Sequence, residues 1–284
     1  MVNSFRSLVR SAYNLQRQQG STELLKQSYY YLRTYRKDYL NLECDNVSVR
    51  FDTSSRTAKD WFYPRYLDGT LHETKITKKI VETLSEDSVF YDIGANIGYY
   101  TIFASGVCSK GEGEVHSFEI DPNFIQLTKK SLKANDTTAT LNNNAVSNKT
   151  GDTVSYSGKF GKTSINSATT TESREVDTIT IDDYAANNPK PDVMKVDVEG
   201  FERHVLEGAE RVLAEGYPQM MFLEIHPPKV QNYGGQVQDV LNLIESYGYN
   251  YIPIENHRNK NAKTQELQKN DFDDVENIML VCET

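Results

Sequence analysis

Two short pairs of residues, each following an apolar run, carry most of the chemistry this chain can do: Asp197-x-Glu199 after VMKV, and Glu224-x-His226 after MMFL. If both runs are neighbouring parallel strands, their carboxyl ends bring three carboxylates and an imidazole to one rim. Such a group can work in two ways. His226 or a carboxylate can take the proton of a hydroxyl as general base. Alternatively, Asp197, Glu199, Glu224 and His226 can include oxygen and nitrogen ligands of a divalent metal that makes a coordinated hydroxyl more acidic. The residues alone leave both routes open, and Lys195 within the first run reads as a buried partner of one of these acids.

A second constellation binds rather than reacts. The stretch VFYDIGANIGYYT, 89 to 101, reads as a strand ending at Asp92, a tight turn through Gly94, Asn96 and Gly98, and a helix start. Glycine tolerates positive φ and lets backbone approach a ligand, and the free N–H groups of the helix attract negative charge. A dinucleotide fingerprint starting at Gly94 needs glycines where Asn96 and Tyr99 stand, which disfavours a nicotinamide-dependent oxidoreductase; no Gly-Lys-Ser/Thr follows either, so a phosphate loop fails. Glu119 instead ends the next strand, about 20 residues after the last glycine, where nucleotide-binding α/β units place a ribose-binding acid. A strand-end carboxylate, a glycine turn and a second acid suit S-adenosylmethionine, which has no phosphates. Asp92 faces its ammonium group, the turn amides its carboxylate, and Glu119 its ribose hydroxyls.

The elements that must hold these residues alternate. Helical spacing of Glu73, Ile76, Ile80 and Leu84 leads into the first strand. Strands follow at Val115 to Glu119, Ala139 to Val146, Thr178 to Ile181, Val193 to Asp197 and Met220 to Glu224. Between them lie a helix from Asp121-Pro122, a brief helix capped by Asp182, a helix from Phe201 to Leu213, and one marked by Val237, Val240, Leu241 and Ile244. Tyr251 to Ile254 and Asn277 to Val281 close the chain, and their β-β step predicts an antiparallel strand at the end of the order. Repeated β-α units predict an α/β, doubly wound, mostly parallel sheet. Gly151 to Thr171 reads as a polar insertion at the rim with a short strand at Thr153 to Tyr156. Val47, Val49 and Phe51 alternate as a hairpin strand, and the following Trp61, Tyr63 and Tyr66 either line a substrate mouth or pack in the core.

Composition narrows the function. The net charge of -9 argues against a general nucleic-acid partner, because a protein that neutralises phosphates usually shows a basic face. Cys44, Cys108 and Cys282 are isolated, giving neither a disulfide framework nor a CxxC metal site; no membrane span or signal sequence is recognisable, so a cytoplasmic protein is expected. Residues 1 to 40 depart from the rest, with seven Lys or Arg against Glu23 and Asp38. Residues 1–45 read as a basic helical extension, with helices on either side of Gly20-Ser21, and 46–284 as the main domain with its core from 70. The extension serves either as a cap or as an interfacial helix at an anionic membrane or lipid-linked substrate. His72, His116, His204 and His257 show no partners in the sequence and are assigned structural or solvent-facing roles.

From about Thr70 onward the chain resembles FkbM-family methyltransferases, through VFYDIGANIGYYT, VHSFEIDP, NNNAVS, MKVDVEGFERHVLEGAERVL and FLEIHP in that order. The resemblance implies a seven-stranded Rossmann-like class I methyltransferase fold using S-adenosylmethionine. Carried over by motif, Asp92, Gly94, Asn96 and Gly98 bind the methionine end, Glu119 the ribose, and Asn144 with Ala145 lie near the adenine. It also implies O-methylation of a hydroxyl on a sugar, glycan or related natural product, or methyl-ester formation on a sugar carboxylate. DVEG stands where amino-group nucleic-acid methylases carry [DNS]-PP-[YF], which weakens a base-methylating reading. A non-catalytic cofactor-binding module is the remaining alternative.

Overall fold

A computed structural model describes residues 38–55, 58–66, 69–158, 163–165, 173–254 and 276–284. The expected basic helices before residue 38, and His257, lie outside the described residues. The chain enters through an antiparallel hairpin, β1 (Tyr39–Cys44) and β2 (Val47–Asp52), whose inward side chains Leu40, Leu42, Val47, Val49 and Phe51 are buried. The end of the expected helical extension, Tyr39–Cys44, is therefore a strand, as the alternating burial of Leu40, Leu42 and Cys44 requires. A π-turn (Ala58–Phe62) and short helix α1 (Tyr63–Tyr66) follow. Phe62 and Tyr66 are buried against Phe51 and Tyr99, so Tyr66 packs in the core rather than at a mouth; the side chains of Trp61 and Tyr63 are not among those described.

Helix α2 (Thr74–Thr83) leads to β3 (Val89–Ile93), α3 (Tyr99–Cys108), β4 (Glu114–Phe118), α4 (Pro122–Asn135) and β5 (Thr140–Asn142). Asp121 caps α4 as its sequence position predicts, accepting from the Asn123 amide at 2.9 Å. The strand expected over Ala139 to Val146 is two strands. β5 joins the main sheet, while β6 (Ala145–Val146) turns away to pair with β9. Between them the Asn143 amide donates to the carbonyls of Glu119 and Ile120, fixing the break.

The polar segment is more than an insertion. β7 (Thr153–Gly158), β8 (Thr163–Ile165) and β9 (Arg174–Ile179) join β6 in a second sheet, ordered β6-β9-β7-β8. Helix α5 (Ile181–Ala185) is capped by Thr180, not by Asp182. Asp182 instead accepts from the amides of Arg211 and Val212.

β10 (Val193–Val196) is followed by two helices rather than one, α6 (Glu202–Glu207) and α7 (Glu210–Ala214), which part at Gly208. A Cβ at Gly208 would lie 2.1 Å from the Ser147 carbonyl, so that close approach admits only glycine. β11 (Met220–Ile225), α8 (Pro227–Asn232), α9 (Val237–Ser246), β12 (Asn250–Ile254) and β13 (Ile278–Glu283) complete the order.

The main sheet has seven strands, ordered β12-β13-β11-β10-β3-β4-β5, parallel from β11 through β5 as expected. The antiparallel strand, β13, does not end the order; it lies between β11 and β12 and pairs with both. Period-two alternation divides the buried residues between two cores. Phe90, Val193 and Phe222 meet the hairpin and α3, whereas Tyr91, Met194 and Met221 meet α6, α7 and α9. Each such apolar side chain contributes ~1.5–3 kcal/mol on burial. The same alternation decides the site: Asp92, Lys195 and Glu224 stand on the first core's face, among its apolar side chains.

Candidate active site

The glycine turn is held from below. Asp92 is buried, and its Oδ2 accepts from the Thr101 amide at 2.9 Å and the Thr101 hydroxyl at 2.6 Å, pinning the first turn of α3. Burial pushes its carboxyl up to about 6, against the lowering effect of Thr101 and Lys195. Gly94 (φ +80°) and Asn96 (φ +54°) take left-handed backbone, and a Cβ on Gly94 would sit 1.9 Å from the Asp197 carbonyl. Gly94→Ala is accordingly expected to lower stability by about 1–3 kcal/mol, through backbone strain and overpacking, as a reduced denaturation midpoint. An unshifted midpoint would show that the turn can move off β10.

Above this turn lies an open cavity lined by Gly94, Asn96, Glu119, Asn144, Ala145, Asp197 and Glu199, together with apolar residues including Phe118, Ile120 and Phe124. Glu119 is buried at its edge. Its Oε2 accepts from the Asn96 amide at 2.7 Å and its Oε1 from the Asp121 amide at 2.8 Å. Burial raises its carboxyl to about 7, although these backbone donors pull the other way. Asp92 and Gly98 do not belong to this lining: Asp92 faces Thr101, and Gly98 packs on Thr128.

At the other wall, the strand ends bring the four acid-base residues together. Lys195 is 1% exposed, with Nζ 3.6 Å from Asp197 Oδ2 and 3.8 Å from Glu224 Oε2. His226 is 3% exposed; its Nδ1 lies 2.8 Å from Glu202 Oε1, and its Nε2 lies 3.4 Å from Glu199 Oε2, 3.7 Å from Glu224 Oε1 and 3.8 Å from Asp197 Oδ1. Burial lowers its basicity, but Glu202 and Asp197 outweigh that and raise it. Lys229 pairs with Glu199, and Asn277 donates to Glu224 at 2.9 Å. Asp197 and Glu199 open to the cavity, while Glu224 and His226 stand behind them.

Several members of this network have no sequence signal of their own. Glu202 looks like an ordinary helix acid but is fully buried under His226. Glu73 is buried too, accepting from the Tyr100 hydroxyl at 2.7 Å and lying 3.3 Å from His72 Nε2. Tyr100 in turn presents its ring to Lys195 at 5.5 Å. His72 and His116 are thus partnered histidines. His72 Nδ1 meets the Tyr66 hydroxyl at 2.7 Å, and His116 bridges Tyr184 and Glu114. His204 stacks on Phe201.

Residues 92–251, from the first strand-end acid to the last β-α unit, match the family described as the Methyltransferase FkbM domain. The chain belongs to the FkbM methyltransferase family. Hexuronic acid methyltransferase AglP of Haloferax volcanii is 31% identical over 157 residues, 54% of this chain and 62% of that protein, so the chain spans less than two thirds of the curated relative it matches. Among solved structures, a methyltransferase FkbM from Methylobacillus flagellatus aligns over 81% of this chain and 55% of its own, with 19% identity and a TM-score of 0.47. A TehB-like SAM-dependent methyltransferase from Corynebacterium glutamicum aligns over 80% and 95%, with 14% identity and a TM-score of 0.43. The FkbM match takes in both walls of the cavity. The N-terminal hairpin and closing strand β13 lie beyond it. No helix among the described residues is long and apolar enough to cross a membrane.

Proposed function

We propose that this protein transfers a methyl group from S-adenosylmethionine to a hydroxyl of a sugar or glycan. One observation carries the reading: a single cavity has Glu119 at one wall and the Asp197–Glu199 pair, backed by His226, at the other.

The lining fits the methyl donor. Each Glu119 oxygen spends one acceptor site on a backbone amide and keeps capacity for a ribose hydroxyl, and both are held in place by those amides. Asn144 and Ala145 stand beyond Glu119, where the adenine end falls, and the turn at Gly94 and Asn96 meets the amino-acid end. Asp92 serves that end through the turn it pins rather than by contact. When bound, S-adenosylmethionine supplies a methyl group on a positively charged sulfur. The chain must then hold the acceptor oxygen in line behind that methyl and take its proton. Asp197 and Glu199 form the proton-accepting side, with the imidazole behind them.

The acid rim also favours a hydroxyl over a carboxylate: Asp197 and Glu199 open into the cavity as proton acceptors, which a hydroxyl needs and an already ionised carboxylate does not. AglP is named for a hexuronic acid, a sugar that offers both groups.

Saturating S-adenosylmethionine is expected to raise Tm, by about 2.7 kcal/mol of linked stability at a hundred times Kd, while NADH leaves it unchanged. Incubation with uronic-acid and neutral-sugar acceptors, followed by mass spectrometry, should show a gain of one CH2 unit that survives mild alkali, as an ether does. A gain lost in alkali identifies the ester instead, and cofactor binding with no product from any such acceptor argues for the binding module.

A further inference from the structure

We propose that Asp197, Glu199 and His226 bind one divalent cation at the cavity wall. This rests on the methyl-transfer reading above, to which it adds the agent that activates the acceptor. One ligand atom from each of the three residues lies within 4.8 Å of the others, close enough for a shared ion.

The independent observation is the imidazole. His226 is 3% exposed, and its Nε2 makes no hydrogen bond although it points at the carboxylates of Asp197 and Glu199. A buried ring nitrogen without a partner costs free energy unless something it binds repays that cost. On its far side, Nδ1 meets Glu202 Oε1 at 2.8 Å, and the same oxygen accepts from the Gly200 amide at 2.9 Å. Glu202 thereby sets the ring so that Nε2 faces the acids. A carboxylate behind a histidine is the usual support of a metal-binding imidazole.

The ligand set also says which ion. Two carboxylates and one imidazole, with no thiolate among them, suit Mn2+ or Mg2+ and not a soft-metal site. Asp197 and Glu199 border the cavity, so a cation held between them keeps positions open toward the acceptor. Lys229 shares Glu199 Oε2, and its partly exposed side chain can swing to solvent when the ion takes that oxygen. A sugar hydroxyl coordinated there becomes more acidic. Its O–H bond breaks with the proton passing to a carboxylate of the cluster, the oxygen–methyl bond forms, and the sulfur–methyl bond breaks to leave a neutral thioether.

The test uses the full chain stripped with EDTA and dialysed, with Mn2+ titrated alone and free Mn2+ read by electron paramagnetic resonance. One Mn2+ per chain is expected, with Tm rising as it binds. Affinity should fall at least tenfold in Asp197→Asn and in Glu199→Gln, whose side chain is partly exposed and whose fold circular dichroism can check, and should hold in Glu119→Gln. Absence of bound Mn2+, or binding that neither substitution weakens, overturns the site. Methylation at an unchanged rate in EDTA also overturns it and leaves the methyl-transfer reading standing. Mn2+ bound at these residues by a chain that fails to bind S-adenosylmethionine has the opposite meaning: the site stands and the functional reading falls.

Discussion

Glu119→Ala is expected to raise the Kd for S-adenosylmethionine about tenfold to a hundredfold. Hydrogen bonds to a charged group are worth ~1.5–3 kcal/mol, and each 1.4 kcal/mol is about tenfold in affinity. Two losses combine in this variant. The ribose hydroxyls lose their acceptor, and the amides of Asn96 and Asp121 lose theirs, which loosens the turn on one side and the start of α4 on the other. Glu119→Gln separates these losses: its single carbonyl oxygen can replace one acceptor but not both, so an intermediate Kd is expected. Calorimetric titration measures all three proteins, and equal constants across them would end the ribose assignment.

The same residue predicts a pH dependence. Burial raises the Glu119 carboxyl from its ordinary value to about 7. Hydroxyl donors bind the carboxylate form better than the protonated one, so binding draws the group toward ionisation. Affinity should therefore be level above about pH 8 and weaken as pH falls through about 7. For stability the sign is reversed. The folded value lies above the unfolded one, so this group's contribution is most favourable in acid and is lost as pH rises from the ordinary carboxylate range to about 7. Glu119→Gln should flatten the cofactor's pH profile, and a profile that keeps its shape in that variant belongs to another group.

How much of this was legible in sequence follows from how local each cause is. Strand runs, the glycine turn and the Asp121-Pro122 helix start depend on neighbours within a few residues, and each is where its pattern predicts. The acids of D-x-E and E-x-H were readable because they end apolar runs, and parallel pairing of β10 with β11 brings them together. What was not readable depends on distant backbone. The break at Gly208 comes from the Ser147 carbonyl, and the split of the third strand from carbonyls that Asn143 reaches back to. Glu202 lies in a surface-like helical pattern, and only tertiary packing makes it a buried acid, whereas Glu73 shares the buried spacing of Ile76 and Ile80 and only its partners were hidden. For Asp92 the sequence places the carboxylate at the strand end, but its contact with Thr101 of the next helix depends on the turn between them and is visible only in the fold.

Lys195→Met is expected to cost about 3–5 kcal/mol of stability, the range for removing one partner from a buried ionic group. Burial alone lowers the basicity of such an amine, yet Asp197, Glu224, Glu73 and Asp92 outweigh it, and the net direction is upward. The lysine therefore remains charged while 1% exposed, and it is the cation on which the sheet's buried acids converge. Methionine matches its length and leaves no large void, so the loss isolates charge from packing. With the amine gone, Glu224 is fully buried and keeps Asn277, while Asp197 at the cavity wall has solvent within reach; most of the penalty should fall on Glu224. Neutralising that acid should then recover stability: Lys195→Met with Glu224→Gln is expected to denature later than Lys195→Met alone, with a coupling of about 0.5–3 kcal/mol in the double-mutant cycle. A Lys195→Met protein as stable as its parent would mean that these acids are neutral in the fold. The rim would then need no cation to assemble, and the order of events at the active site would begin with the acceptor rather than with a charge already in place.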